Sequence, residues 1–249
     1  DGGGAWEPYQ RGHRLPEALA AHIQQAVSIA TEDSTAVVVF SGGQTRTDAA
    51  ARSEAQSYLD LAIANDIPGA KALLGDTTPP SGSADDAPAT TPKGRRIFVD
   101  DFARDSYENV IFSIARFAEV TGGRTPQRIT VVGFAYKEKR FLELHRHAIR
   151  FPPDRFSYVG IDEPSLRPDE HATATNRPLS DAKTMARVKQ DLYMCRLGLA
   201  TRRKRNPNRR AVPYYLTAPA ELRALLLHCG PELFQGQLPW DPRATEPQP

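Results

Sequence analysis

Three short stretches of the chain bring together residue types that bind anions and move protons. The first, Ser41-Gly42-Gly43-Gln44-Thr45-Arg46, follows an apolar run and precedes a helical pattern. Glycine tolerates positive φ and places no Cβ between the backbone N–H groups and a ligand. Ser41 and Thr45 add hydroxyls, Arg46 adds a planar fork suited to phosphate or carboxylate, and the start of the following helix favours negative charge. The stretch is neither a P-loop, which ends in Gly-Lys-Ser/Thr, nor a Gly-x-Gly-x-x-Gly dinucleotide fingerprint. Gly-Gly also serves as a plain tight connection. No base lies near Ser41 in sequence, so it reads as a hydrogen-bond donor rather than a nucleophile.

The second stretch, Asp100 to Asn109, clusters carboxylates, a hydroxyl and an amide where a helix should begin. One Asp or Ser there is explained by capping. The whole cluster suits binding of ribose hydroxyls, a divalent metal or a proton in transit. The third stretch, Gly133 to Arg140, carries Lys137 and Arg140, which can reach an anion held by the first turn. The same charges also describe a solvated first helical turn. His145 and His147 are two apart, cannot share a helical face, and read as packing or surface residues.

Elements that alternate along the chain must position these stretches. Leu15, Leu19, Ile23, Val27 and Ala30 recur at helical spacing, with Pro16 suited to a first turn. Ala36 to Phe40 is a short apolar, β-branched run and reads as a buried parallel strand. Ala51, Ala55, Tyr58, Leu59, Ala62 and Ile63 trace the next helical face, and Ile97 to Val99 the next strand. Asp105 or Ser106 caps a helix with Val110, Ile111, Ile114, Phe117 and Ala118 inward. Ile129–Phe134 reads as a further buried strand, Phe141 to Ile149 as a helix and Phe156–Ile161 as a strand, followed by helices around 181–199 and 218–229. This rhythm predicts an α/β fold in which helices cover both faces of a mostly parallel sheet. Ligands of such sheets sit beyond the carboxyl ends of the strands, where all three stretches fall.

The length of 249 residues suits one domain, with residues 75–94 as a flexible insertion and 164–249 as a Pro- and Arg-rich, helix-containing C-terminal extension. A net charge of +2 gives no global field towards nucleic acid or membrane. The one dense basic run, Arg202 to Arg210, lacks interleaved aromatics, which speaks against nucleic acid. It reads as a solvated loop, or as arginines folded back onto ligand anions, with membrane contact as a weaker alternative. Tyr214, Tyr215 and Trp240 read as packing residues, and Trp6 and Tyr9 as anchors of the N-terminal arm. The two cysteines, Cys195 and Cys229, lie in helical patterns without metal spacing and read as free thiols, a bridge between them staying open. No apolar run reaches the roughly 18–20 residues that cross a bilayer, so a soluble protein is expected, with room for a targeting segment upstream of Asp1.

Taken together, the three stretches resemble the YdcF/SanA-like family. Val39-Phe40-Ser41-Gly42-Gly43 and Ser53-Glu54-Ala55 match its first two motifs, and Asp100 with Arg104 to Asn109 falls on its third, with Ala103 replacing a serine. In the last motif Arg140 keeps an arginine, while Lys137 stands where bacterial members carry histidine. Val132 to His145, Lys204-Arg205-Asn206-Pro207 and Leu238-Pro239-Trp240 are similar to a eukaryotic, fungal-looking branch. The resemblance implies a Rossmann-like three-layer sandwich and a nucleotide-type pocket. It also implies an association with S-adenosylmethionine and with the bacterial cell envelope, and a hydrophobic strand ahead of the first helix.

The expected function is binding of a small anionic or nucleotide-like ligand. As a hydrolase or transferase, the protein would use Glu54, Asp101, Asp105, Glu108 and Lys137 in catalysis. Ser41, Gly42, Gly43, Thr45, Arg46, Ser53, Ser106, Asn109 and Arg140 would hold the ligand. The cofactor stays open between none, S-adenosylmethionine and a divalent metal, and no metal ligands are assigned. A non-catalytic cofactor binder and a docking scaffold are the competing expectations.

Overall fold

The computed structural model describes residues 15–75, 94–162 and 171–242. The expected insertion at 75–94 and the N-terminal anchors Trp6 and Tyr9 lie almost wholly or wholly outside these residues. In chain order the elements are α1 (Leu15–Glu32), β1 (Val38–Ser41), α2 (Glu54–Ala64), α3 (Ala70–Leu74), β2 (Ile97–Asp100), α4 (Ser106–Val120) and β3 (Ile129–Gly133). A 3-10 turn (Ala135–Lys137) and a π-helical turn (Arg140–His145) lead into α5 (Arg146–Ala148) and β4 (Phe156–Gly160). The C-terminal part adds α6 (His171–Gln190), α7 (Leu199–Lys204), α8 (Tyr214–Thr217) and α9 (Ala220–Leu227).

The chain is thus a mixed helix–strand fold with short parallel sheets. β1 pairs with β2 from Val38↔Ile97 to Ser41↔Asp100, and β3 pairs with β4 from Ile129↔Phe156 to Gly133↔Gly160. The single sheet expected from the rhythm is therefore two two-stranded sheets among the described residues. β3 is also half-buried rather than buried, because it has one ladder neighbour where a central strand has two.

Two cores hold these pairs. Ile23, Val27 and Ala30 of α1 pack with Val38, Phe40, Leu59, Ala62 and Ile97 around the first sheet. Ile63, expected inward, is 44% exposed at the outer edge of α2. The larger core forms on the inner face of α4, where Val110, Ile111 and Ile114 meet Phe141, Ile149 and Phe151 and the C-terminal Tyr214, Leu222 and Trp240. Full burial of such a side chain contributes about 1.5–3 kcal/mol. Trp240 Nε1 also donates to the Ile149 carbonyl over 3.0 Å, so the C-terminal extension is part of the core rather than an appendage.

The helix expected at 181–199 stops at Gln190. The Asp191 carboxylate accepts N–H groups from Cys195, Arg196 and Gly198, an arrangement that folds the chain into a turn instead of another helical repeat. Met194 completes it at φ 52. Released from the helix, Cys195 forms a disulfide with Cys229, which follows the end of α9. The two are not the free thiols that their helical patterns suggest.

Candidate functional site

The carboxyl ends of β1 and β2 are clamped together by backbone. Gly42 N–H donates to the Asp100 carbonyl over 2.9 Å and Gly43 N–H to the Ala103 carbonyl over 2.7 Å. A Cβ on Gly43 would lie 2.6 Å from that Ala103 oxygen, and one on Gly42, at φ +156, 2.8 Å from Glu54 Cβ. The two glycines therefore serve close approach of the loops. Their N–H groups are committed to protein carbonyls, not presented to a ligand as the motif suggested.

Directly beneath lies Asp100, with no solvent exposure. Its carboxylate accepts from Ser41 Oγ at 2.6 Å, from the Phe102 N–H at 3.1 Å and from Tyr214 Oη at 3.1 Å. Burial pushes its pKa up to about 6 against the opposing pull of those donors. Asn109 Oδ1 accepts a longer contact from Ser41, 3.3 Å. Ser41 and Asn109 thus face this buried carboxylate and tie β1, β2 and α4 to α8.

The acidic cluster at the start of α4 is largely consumed by arginines. Asp105 caps the helix by accepting the Glu108 N–H, and its other oxygen accepts from Arg202 Nε at 2.6 Å. Glu108 is buried and takes the Arg104 N–H and guanidinium, with Arg202 Nε at 3.1 Å. Burial opposes the charge on Arg202, but Asp105 and Glu108 outweigh it and raise its pKa. Asp101 pairs with Arg210, whose guanidinium lies 4.0 Å from the centre of the Phe102 ring. So Asp105 and Glu108, and more loosely Asp101, hold the C-terminal basic run in place. That run is therefore not a solvated loop throughout, since Arg202 is buried and Arg210 half-buried against these carboxylates.

Ser53 is buried as the cap of α2, accepting the Gln56 N–H. Ser106 Oγ lies 2.8 Å from His145 Nε2. A Ser–His pair suggests nucleophilic catalysis, but burial and the nearby Arg140 hold the His145 pKa down to about 3, and its Nδ1 has no hydrogen-bond partner. An imidazole so reluctant to charge is a poor base for serine. Arg46 turns back onto Asp48 of its own loop, and Thr45 is half-buried beside it.

Lys137 remains. It sits at the end of the 3-10 turn after β3, with its ammonium 5.1 and 5.6 Å from the Phe134 and Tyr136 ring centres. Burial lowers its pKa, Glu54 and Asp181 raise it, and Arg140 and Arg205 push it down again. Arg140 is buried and pairs with Asp181 at 2.9 Å, whose own carboxyl burial has raised. Among the described residues, neither Lys137 nor Arg205 has a carboxylate within ion-pair distance. Glu54, exposed at the first turn of α2, accepts from Tyr58 Oη and stands beside Gly42. Among the described residues, no group of three or more His, Cys, Asp or Glu is placed to hold a metal ion.

The first two stretches meet directly, through Gly43 N–H on the Ala103 carbonyl. The second touches the π-helical turn that begins at Arg140, through Ser106 and His145, and the charge of Glu54, at the start of α2, acts on Lys137 without a direct contact between them. What meets there differs from the expected ligand shell. Asp100, Arg202, Arg205, Arg210, Asp181 and Tyr214 complete the region. The sequence marks Asp100 and the 202–210 run by motif and Tyr214 as a packing residue without giving any of them these partners, and Asp181 carries no signal at all.

No family model matches the chain, and no solved structure matches it. A Saccharomyces cerevisiae protein, the uncharacterized protein YOR238W, is 33% identical over 199 residues, which cover 72% of this chain. The match spans 65% of that relative's length.

Proposed function

We propose that the protein binds a small anionic, nucleotide-like metabolite at the strand ends and acts on it as a hydrolase or transferase. The carrying observation is the half-buried pair Lys137 and Arg205, neither of which has a carboxylate within ion-pair distance among the described residues, with Glu54 and Asp181 acting on Lys137 only at longer range. A bound phosphate or carboxylate would offset the mutual repulsion of two such cations. Glu54 is the one carboxylate of the predicted set left accessible and without an arginine, and so the group able to move a proton. Asp101, Asp105 and Glu108 act as supports that hold the C-terminal strap over the site.

A Rossmann-like three-layer arrangement fits this reading. Its support is the pairing of parallel strands with α1 and α2 packed with the first sheet and α4 touching both of its strands. The YdcF/SanA-like resemblance points the same way.

A thermal-shift panel of nucleotides, sugar phosphates, inorganic phosphate and S-adenosylmethionine, with and without magnesium, tests the reading. Ligand at about 100 times its Kd adds roughly 2.7 kcal/mol of apparent stability. Phosphate-bearing compounds should raise Tm in the native protein and not in Lys137→Ala. A shift with S-adenosylmethionine alone would favour the non-catalytic cofactor binder. A panel without any shift would leave the proposal without its basis.

A further inference from the structure

A cavity opens beside the first turns of α4. It measures ≈190 Å³ and is lined by Ile111 and Phe112 of α4, by Tyr193, by Leu226 and Leu227 of α9, and by both halves of the Cys195–Cys229 disulfide, with Glu108, Arg202 and His228 as its charged or polar edge. It borders the site described above through Glu108 and Arg202 but shares none of Glu54, Lys137, Arg140 or Arg205 with it. Its wall holds two polar groups that the fold leaves unsatisfied. Tyr107 is 4% exposed and Arg202 7% exposed, and neither the Tyr107 hydroxyl nor Arg202 Nη2 has a hydrogen-bond partner among the described residues.

We infer that this cavity is a binding site for an uncharged, ring-sized apolar molecule carrying one oxygen acceptor. The volume exceeds the 150 Å³ or so that accommodates benzene in an engineered protein cavity. Isoleucine, leucine and aromatic walls favour an apolar body. The orphaned O–H and N–H both donate, so the polar end of the ligand must accept. Charge selects a neutral acceptor. Arg104 and Arg202 are already matched by Asp105 and Glu108, so a carboxylate ligand would bring an unbalanced negative charge into an apolar space. A carbonyl or hydroxyl oxygen satisfies the donors without that penalty. The disulfide joins the turn at Cys195 to the end of α9, and so fixes the two sides of the cavity against each other.

Calorimetric titration of the intact protein with acetophenone, ethylbenzene and benzoate tests the site. Acetophenone should bind about tenfold more tightly than ethylbenzene, the worth of one well-made hydrogen bond, and benzoate should bind least. Leu226→Trp, which fills the cavity, should abolish acetophenone binding while circular dichroism shows an unchanged fold. Should that variant unfold, Leu227→Trp at the exposed rim blocks the cavity without disturbing the core. Equal affinity for acetophenone and ethylbenzene, no binding at millimolar concentration, or binding that survives a folded Trp variant would each overturn the inference.

Discussion

Ser41 and Asp100 face each other at the last rung of the β1–β2 ladder, and the Ser41 hydroxyl donates across that rung to Asp100 Oδ2 over 2.6 Å. A motif serine at a strand end is thereby turned inward, towards a carboxylate that sees no water. Its partner's elevated pKa has a direct consequence for stability. The folded state holds the Asp100 proton up to about pH 6, whereas the unfolded chain releases it near 3.8. Between those values the folded state binds more protons, so the buried charge lowers stability as pH rises, and the penalty is complete above about pH 6. Its size is roughly 3 kcal/mol. Asp100→Asn keeps the shape and lets Ser41 accept instead of donate. Urea unfolding at pH 4, 6 and 8 should show the native protein losing ground to the variant by that amount as pH rises. Parallel pH profiles would contradict the assignment.

His145 works in the opposite direction. Its folded pKa near 3 lies well below the ordinary 6.5, so as pH falls from 6.5 the unfolded chain takes up a proton that the folded state refuses. Stability therefore falls on acidification between about pH 6.5 and 3, by roughly 5 kcal/mol at the bottom of that range. Between pH 4 and 6 the Asp100 contribution partly offsets it. His145→Gln, which preserves a hydrogen bond to Ser106, should flatten the acid limb measured by thermal unfolding. An unchanged acid limb in a folded variant would mean that other groups set it.

The disulfide closes a sequence separation of 34 residues. Restricting the unfolded chain by a loop of that size stabilises the fold by about 2–4 kcal/mol. Replacing both Cys195 and Cys229 by serine should lower the urea midpoint accordingly, and a reductant should bring the native protein to the same midpoint. If the reduced and oxidised proteins unfold together, the bridge carries no stability.

Local pattern locates the four strands and the longer helices, because strands such as Ile97–Asp100 and helices such as Ser106–Val120 carry their periodicity and caps in adjacent residues, while the short α3, α7 and α8 are too brief to show a period. What it missed depends on residues far apart in sequence. Arg202 reaches Asp105 across 97 positions and Tyr214 reaches Asp100 across 114, so neither pairing leaves a local trace. The end of α6 was also misjudged, since a single side chain, Asp191, diverts an otherwise helical pattern. The split into two sheets is likewise a matter of which strand edges pair, which periodicity within a strand does not record.

Gly43 separates the motif reading from the structural one. If its N–H bound a ligand, Gly43→Ala would weaken binding and spare the fold. The structure instead puts the new Cβ against the Ala103 carbonyl, a backbone atom that cannot swing aside. The variant should lose about 1–3 kcal/mol of stability in the absence of any ligand, as overpacked positions do. Native-like urea unfolding combined with weakened phosphate binding would restore the motif reading.

The pH dependence of anion binding tests Lys137 most directly. Binding needs its ammonium charged, and burial has lowered its pKa below the ordinary lysine value. Affinity for an anion should therefore fall as pH rises through that lowered pKa, earlier than for an exposed lysine. A bound anion favours the charged form and shifts the fall upward, by an amount that measures the coupling between the two. Sulfate is the suitable probe because its own charge does not change in this range. Between pH 7 and 10.5 its Kd should rise in the native protein and stay nearly flat in Lys137→Arg, whose guanidinium does not lose its proton. Lys137→Ala should bind weakly throughout. A sulfate affinity that falls with pH equally in the arginine variant would place the titrating group elsewhere and remove Lys137 from the site.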